Sequence, residues 1–282
     1  MRISYFAGST VLITGASARI GCEFARQLAP VASKMILVAR RNDRLEALES
    51  ELKAANPDLE LFRRPLDLRD QPKLEQFCDW LDESGLRIDF LINNAGMGDH
   101  GSFVGSDWER VGSMLRVNVG ALTYLTFRIL PAMRNAGRGA ILNVSSVAGL
   151  LPLPNSAVYA ATKAYVNSFS EAIRAELRRS NISVTALCPG PVETEYLSRA
   201  TRGTALQKHT APDSFIVSVQ EVVGQALEAV AHDRARVIPG FTVNLAMTTI
   251  AFLPMFIKRL LYRIQVNHQP PDSLGCERTE AA

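Results

Sequence analysis

Val11-Leu12-Ile13-Thr14-Gly15-Ala16-Ser17-Ala18-Arg19-Ile20-Gly21 carries an apolar, strand-like run into a glycine-bearing turn, and from Gly21 onward the chain reads as a helix to Leu28. In such a strand-turn-helix unit, the first amides of the helix and its dipole favour negative charge at the turn, the place where a dinucleotide pyrophosphate sits. Gly15 suits the tight turn, and Gly21 suits close packing of helix on strand. Ser17, Ala18, Arg19 and Ile20 would line the anion between them.

Outward from this unit the same order recurs. Short apolar runs at residues 35–39, 59–62, 90–92, 140–144 and 184–187 alternate with helical patterns such as residues 43–55 and 72–81. Apolar strands alternating with helices predict a parallel sheet covered on both faces, hence a single doubly wound α/β domain. Ser106 with Glu109, and Ser218 with Glu221, have the spacing of capping boxes and predict two helix starts.

The chain has 282 residues, of which 47% are hydrophobic and 21% charged, enough for one large domain with a full core. The formal net charge of +3 gives no electrostatic reason to expect a nucleic-acid partner. Four cysteines stand singly at 22, 78, 188 and 276, without metal-ligand spacing, so no metal is expected and a reduced setting fits. Residues 1–10 contain no apolar run of signal-peptide length, which points to a cytoplasmic protein.

The second strand ends in Ala39-Arg40-Arg41, where an acidic residue would bind the two ribose hydroxyls of NAD. Arg40 at that place suits a ribose 2′-phosphate, because a guanidinium fork matches phosphate oxygens. Read alone, it is a solvated basic turn. Beside a nucleotide turn, the phosphate role is preferred, and with it NADP(H).

Tyr159 and Lys163 stand four apart on a helix whose apolar positions 166, 169, 173 and 177 mark its core side, so the two share one face. A phenol titrates near about 10 in model peptides, and a neighbouring ammonium favours its ionised form. A tyrosine tuned in this way serves as general acid or base. A bare pair with this spacing also arises on ordinary helix rims. Two further features strengthen it. Ser145 and Ser146 follow the strand at 140–144, at the sheet end where open α/β folds bind ligands. Asn118 sits inside a helical run, where a buried amide requires a partner.

With these residues in place, the chain resembles the short-chain dehydrogenase/reductase family over about residues 9–240. The motifs are Thr14-Gly15 to Gly21, Asp67-Leu68 after the third strand, Asn93-Asn94-Ala95-Gly96 after the fourth, Asn118, Ser146 thirteen residues before Tyr159, Lys163, and Pro189-Gly190-Pro191-Val192-Glu193-Thr194. The resemblance implies a Rossmann-type oxidoreductase with NADP(H). Asn118, Ser146, Tyr159 and Lys163 would form its catalytic set. Asp67 and Leu68 would meet the adenine, and the backbone at Asn94, Ala95 and Gly96 the adenosine ribose. Pro189, Gly190 and Val192 would close over the nicotinamide, with Thr194 at the pyrophosphate. The substrate would be a small-molecule ketone, aldehyde or secondary alcohol, and the assembly a homodimer or homotetramer. One departure stands out: Arg19 occupies a position where the family carries glycine, and it either crowds the turn or joins Arg40 at the phosphate, the latter being preferred. The alternative is a non-catalytic NADP(H)-binding or scaffold protein with a drifted cofactor loop at Arg19.

Residues 1–240 are expected to form the domain, 241–268 an apolar extension and 269–282 a polar tail. The run 241–257 is too short and too interrupted by Asn244, threonines and Pro254 for a membrane span. A substrate lid or a subunit interface ranks ahead of peripheral membrane contact through Lys258, Arg259 and Arg263. A lid would favour hydrophobic substrates.

Overall fold

A computed structural model describes residues 3–191, 215–254 and 256–260. The expected contacts at Val192 and Thr194, Arg263 and the tail lie outside these residues.

Seven parallel strands form the sheet: β1 (Thr10–Thr14), β2 (Lys34–Ala39), β3 (Glu60–Pro65), β4 (Phe90–Asn93), β5 (Gly139–Val144), β6 (Ile182–Leu187) and β7 (Arg236–Val237). Their order is β3-β2-β1-β4-β5-β6-β7. Connecting them are α1 (Arg19–Leu28), α2 (Asn42–Ala55), α3 (Gln71–Glu83), α4 (Trp108–Leu115), α5 (Leu122–Ala136), α6 (Ala157–Glu176) and α7 (Val219–Ala231), with α8 (Phe241–Phe252) following β7.

The alternation of strand side chains explains the uninterrupted apolar runs. Val11 and Ile13 face a core layer with Phe24, Leu28, Leu45 and Leu227, while Leu12 faces the opposite layer with Leu74, Phe77, Leu125 and Ile173. Every residue of β1 is therefore buried, whereas edge strand β3 is buried at none of its positions. Each fully buried Leu or Ile contributes roughly 1.5–3 kcal/mol relative to exposure, so these two layers dominate the stability of the sheet.

The chain winds from β1 out to β3 and then crosses to β4 on the other side of β1. The strand order reverses there, and the crevice at the carboxyl ends of β1 and β4 is where such sheets take a ligand.

Of the two expected capping boxes, Ser218 caps α7 by accepting from the Glu221 amide at 3.2 Å. The other expectation is corrected. Asp107 caps α4, its carboxylate accepting from the Glu109 and Arg110 amides at 3.2 Å each. An ionised carboxylate is the stronger partner for amides at the positive end of a helix. Between α4 and α5, residues Arg116–Ala121 form a π-helical turn rather than a continuous α-helix.

Candidate active site

The nucleotide turn is held by Thr14 and Asn94. Thr14 Oγ1 donates to the Ile92 carbonyl at 3.3 Å and accepts from the amides of Asn94 and Ala95, both at 3.0 Å. Asn94 Nδ2 donates back to the carbonyls of Thr14 at 2.9 Å and Gly15 at 3.2 Å. The carboxyl ends of β1 and β4 are thus stitched together. Gly15 has φ +67°, and a Cβ there would lie 2.9 Å from Ala95 Cα. A Cβ on Gly21 would lie 2.3 Å from the Gly15 carbonyl oxygen. Both glycines serve the roles their positions implied.

Ala18 is the N-cap of α1 and provides no side-chain acceptor for the first helical amides. Such amides, together with the helix dipole, fit a phosphate. Arg19 opens α1, is exposed, and does not belong to the described non-glycine residues with positive φ, which are Asn155, Asn181 and Asp233. The glycine of the family pattern is therefore not required here by backbone conformation, and the Arg19 side chain extends outward.

Arg40 is exposed. The basic residue moored at the turn is its neighbour Arg41, whose Nη2 donates to the Ser17 carbonyl at 3.0 Å. The pair Arg40-Arg41 was the only signal for it in the sequence. Asp67 is clamped by Arg69, at 3.0 Å from Nε and 2.6 Å from Nη2, and this guanidinium holds its carboxyl below the usual range. Leu68 is buried.

Beyond the turn, the ends of β5 and α6 meet. Ser145 is buried, and its hydroxyl donates to the Lys163 carbonyl at 2.9 Å, which takes it out of the cleft. Ser146 is half-buried and caps the 3-10 turn Val147–Leu150, accepting from the Ala148 amide at 3.1 Å. This contrast independently separates the two serines. A Cβ on Gly149 would lie 2.4 Å from the Lys163 backbone carbonyl carbon, so this turn rests directly on α6. The Val147 amide bonds the Pro189 carbonyl at 3.1 Å, which ties the serine turn to the Pro189-Gly190 segment.

Lys163 is 5% exposed. Its Nζ donates to the Val144 carbonyl at 2.8 Å and lies 5.9 Å from the centre of the Tyr159 ring. Burial lowers its pKa to about 8. Tyr159 is half-buried and borders a small cavity lined also by Phe103, Ser106, Met114 and Asn155. His100 Nδ1 lies 3.1 Å from the Ser156 hydroxyl, and the Gly101 amide donates to the Asn155 carbonyl at 2.7 Å, so the loop after β4 is pinned to the start of α6.

Asn118 is buried within the π-turn. Its Oδ1 accepts from the Met97 amide at 2.7 Å, and its Nδ2 donates to the Met97 carbonyl at 2.9 Å and Thr162 Oγ1 at 3.0 Å. Thr162 in turn donates to the Tyr159 carbonyl at 2.7 Å. Asn118 is therefore the joint between the β4 loop and α6, and Thr162 is a member of the site that sequence reading missed. The amide of Leu122, which in a regular α-helix would bond the Asn118 carbonyl, bonds Val119 instead. The regular α-helical bonding pattern is thus interrupted at Asn118. Asn118, Ser146 and the pair Tyr159 and Lys163 are contributed by three separate elements: the π-turn, the turn after β5 and α6. Among the described residues no group of three or more His, Cys, Asp or Glu has the arrangement of a metal site.

Residues 9–204 match the family model of the short chain dehydrogenases. Sulfoacetaldehyde reductase 2 of Chromohalobacter salexigens is 35% identical over 212 residues, covering 72% of this chain and 82% of that protein. A short-chain dehydrogenase of Sphingobium yanoikuyae solved with NADPH is 31% identical, with a TM-score of 0.76 and coverage of 97% and 98%. The bulky-bulky ketone specific alcohol dehydrogenase of Comamonas testosteroni is 27% identical, with a TM-score of 0.73 and coverage of 97% of each chain.

Proposed function

The chain belongs to the short-chain dehydrogenase family, and on that premise we propose that it transfers hydride between NADP(H) and a ketone, aldehyde or secondary alcohol, with Tyr159 moving the matching proton. The nicotinamide supplies the hydride chemistry. The chain's own residues bind, orient and move the proton.

The observation that carries this reading is the buried Lys163 ammonium one helical turn from Tyr159, fixed against the end of β5. A cation there favours the phenolate, so Tyr159 gives up its proton to a substrate oxygen more readily than a free phenol does. Ser146 holds the substrate oxygen with its hydroxyl. The Asn118 main-chain carbonyl holds a water that restores the proton. The uncapped start of α1, Gly15, Ser17, Ile20 and the Arg40-Arg41 pair bind the pyrophosphate and the 2′-phosphate. NADPH in the Sphingobium relative supports this choice of cofactor.

A hydrophobic substrate is the better match. Phe103 and Met114 line the cavity beside Tyr159, and a relative of nearly equal length is named for bulky ketones. A homodimer or homotetramer completes the proposal, with exposed Phe127 and the stacked Tyr165–Phe169 pair as apolar surface for it.

The test follows NADPH consumption against a panel of carbonyl compounds, with a parallel fluorescence titration of NADPH and NADH. Turnover of at least one apolar carbonyl is expected. Tight cofactor binding without turnover of any carbonyl or alcohol would favour a non-catalytic binding protein. Absence of binding would overturn the reading altogether.

A further inference from the structure

Helix α8 is apolar on two opposite sides. Its inner face, Val243 with the half-buried Ala246, Met247 and Ile250, packs towards the body of the protein. A Cβ on Gly190 would lie 3.0 Å from Val243 Cγ1, so this contact seats the helix against the Pro189-Gly190 segment. Phe241, Leu245 and Phe252 fall within about 40° of one another on the other side, at 100° per residue. They are exposed, Phe241 by 81% and Phe252 by 85%. Phe256 and Leu260 continue the exposed row. An exposed apolar helix face of this length marks an interaction surface.

A lid over the cleft does not account for it, because the inner face is already packed and the large side chains point away from the body. Charge separates the two remaining occupants. From Phe241 to Pro271 the sequence holds three Lys or Arg residues, Lys258, Arg259 and Arg263, and no Asp or Glu. A second copy meeting this face about a two-fold axis would set the basic segment against itself. An anionic lipid surface meets both features at once, taking the apolar side chains into the headgroup boundary and the cations at the phosphates.

The site lies at the same edge. Phe103, Val104 and Trp108, all exposed, emerge after the carboxyl end of β4, and α8 emerges after the carboxyl end of β7. In a parallel sheet these ends lie on one edge, and Tyr159 and Phe103 line one small cavity there. We propose that α8 and the Lys258-Arg259 pair that follows it dock on an anionic lipid surface, with the mouth of the site turned towards it. No helix among the described residues is long and apolar enough to cross a membrane, so the association is peripheral. It stands apart from the catalytic reading, since the test measures no turnover.

The experiment sediments the full chain with vesicles of phosphatidylcholine alone and of phosphatidylcholine with phosphatidylserine, at low and high salt. Binding to the anionic vesicles, weakened by salt, is expected. Phe252→Asp with Phe256→Asp should lower the partition coefficient at least tenfold, and Lys258→Glu with Arg259→Glu roughly tenfold or more on anionic vesicles only. Circular dichroism should show both variants folded. Wild-type protein that stays in the supernatant with both vesicles overturns the proposal. So does a Phe252/Phe256 variant that changes the sedimentation coefficient in the absence of lipid, which would assign the face to a second copy.

Discussion

The ammonium of Lys163 and the carbonyl oxygen of Val144 lie 2.8 Å apart, which anchors a buried cation to the last residue of β5. One hydrogen bond does not replace the water that the ammonium loses on burial. The fold thus keeps at this point a cation whose charge is less stable than it would be in solvent. Such a destabilised group in a cleft marks a place where chemistry, rather than stability, set the residue.

The first prediction concerns pH. Lys163 titrates at about 8 in the folded chain, against 10.5 for an unburied lysine. Below about 8 both states hold the proton, and the burial penalty is present in full. Between these values the unfolded chain holds more protons than the folded one, so the Lys163 contribution makes the fold more stable as pH rises. The melting temperature of the apoprotein should gain over that window relative to Lys163→Met, which lacks the group. Activity should move the opposite way, with kcat/KM for carbonyl reduction falling as pH passes about 8. A profile that stays flat to pH 10 would show that the Lys163 charge is not used.

Tyr159→Phe removes the proton donor and leaves the ring. Turnover should fall by roughly 10³-fold, within the usual range for general acid–base groups, while the NADPH dissociation constant changes by less than about threefold. Stopped assays with the best carbonyl of the panel measure the first, and nicotinamide fluorescence the second. Residual activity within about tenfold of wild type would move the proton transfer to another group.

Gly21→Ala should destabilise the nucleotide turn. The new Cβ meets the Gly15 carbonyl oxygen at 2.3 Å and Asn94 Nδ2 at 2.7 Å, so backbone as well as side chain must give way. A loss of roughly 1–3 kcal/mol is expected for such overpacking, with weaker cofactor binding. Gly120→Ala is the control, since its nearest contact is the Leu115 carbonyl at 3.9 Å. Its denaturation midpoint should be unchanged or higher. Equal losses in the two variants would show that the close approach at Gly21 is not what sets its identity.

The strands were legible because a strand buried on both faces leaves an unbroken apolar run, as at Val11, Leu12 and Ile13. Tyr159 and Lys163 were legible because helical spacing puts them on one face. What stayed hidden depends on angles rather than on composition. Asp107 and Ser106 are adjacent and both cap-competent, and only the entry angle of the chain decides between them. The π-turn at Arg116–Ala121 adds one residue to a helix without a compositional mark, so the break in the helix at Asn118 could not be read. Arg41 and Arg40 are chemically equal in sequence, and the path of the chain between β2 and α2, where Arg41 is the N-cap, brings one to Ser17 and leaves the other exposed. The apolar extension was visible, but not that α8 turns Phe241 and Phe252 away from the protein.

That difference makes the last prediction. Arg41 is held 3.0 Å from the Ser17 carbonyl, inside the turn, where the planar guanidinium matches the geometry of a phosphate. Arg40 is exposed, beside Asp67, whose carboxyl it helps to keep ionised, and must reach back towards the turn. Arg41→Ala should therefore weaken NADPH by roughly 10–100-fold, the range of a charge-assisted hydrogen bond, and Arg40→Ala by less. NADH lacks the 2′-phosphate and should lose only the part of the Arg41 effect that comes from a looser Ser17. Fluorescence titration of both cofactors against both variants decides the matter. If NADH and NADPH weaken equally in Arg41→Ala and neither changes in Arg40→Ala, the pair only shapes the turn, and recognition of the 2′-phosphate must be sought elsewhere along the crevice.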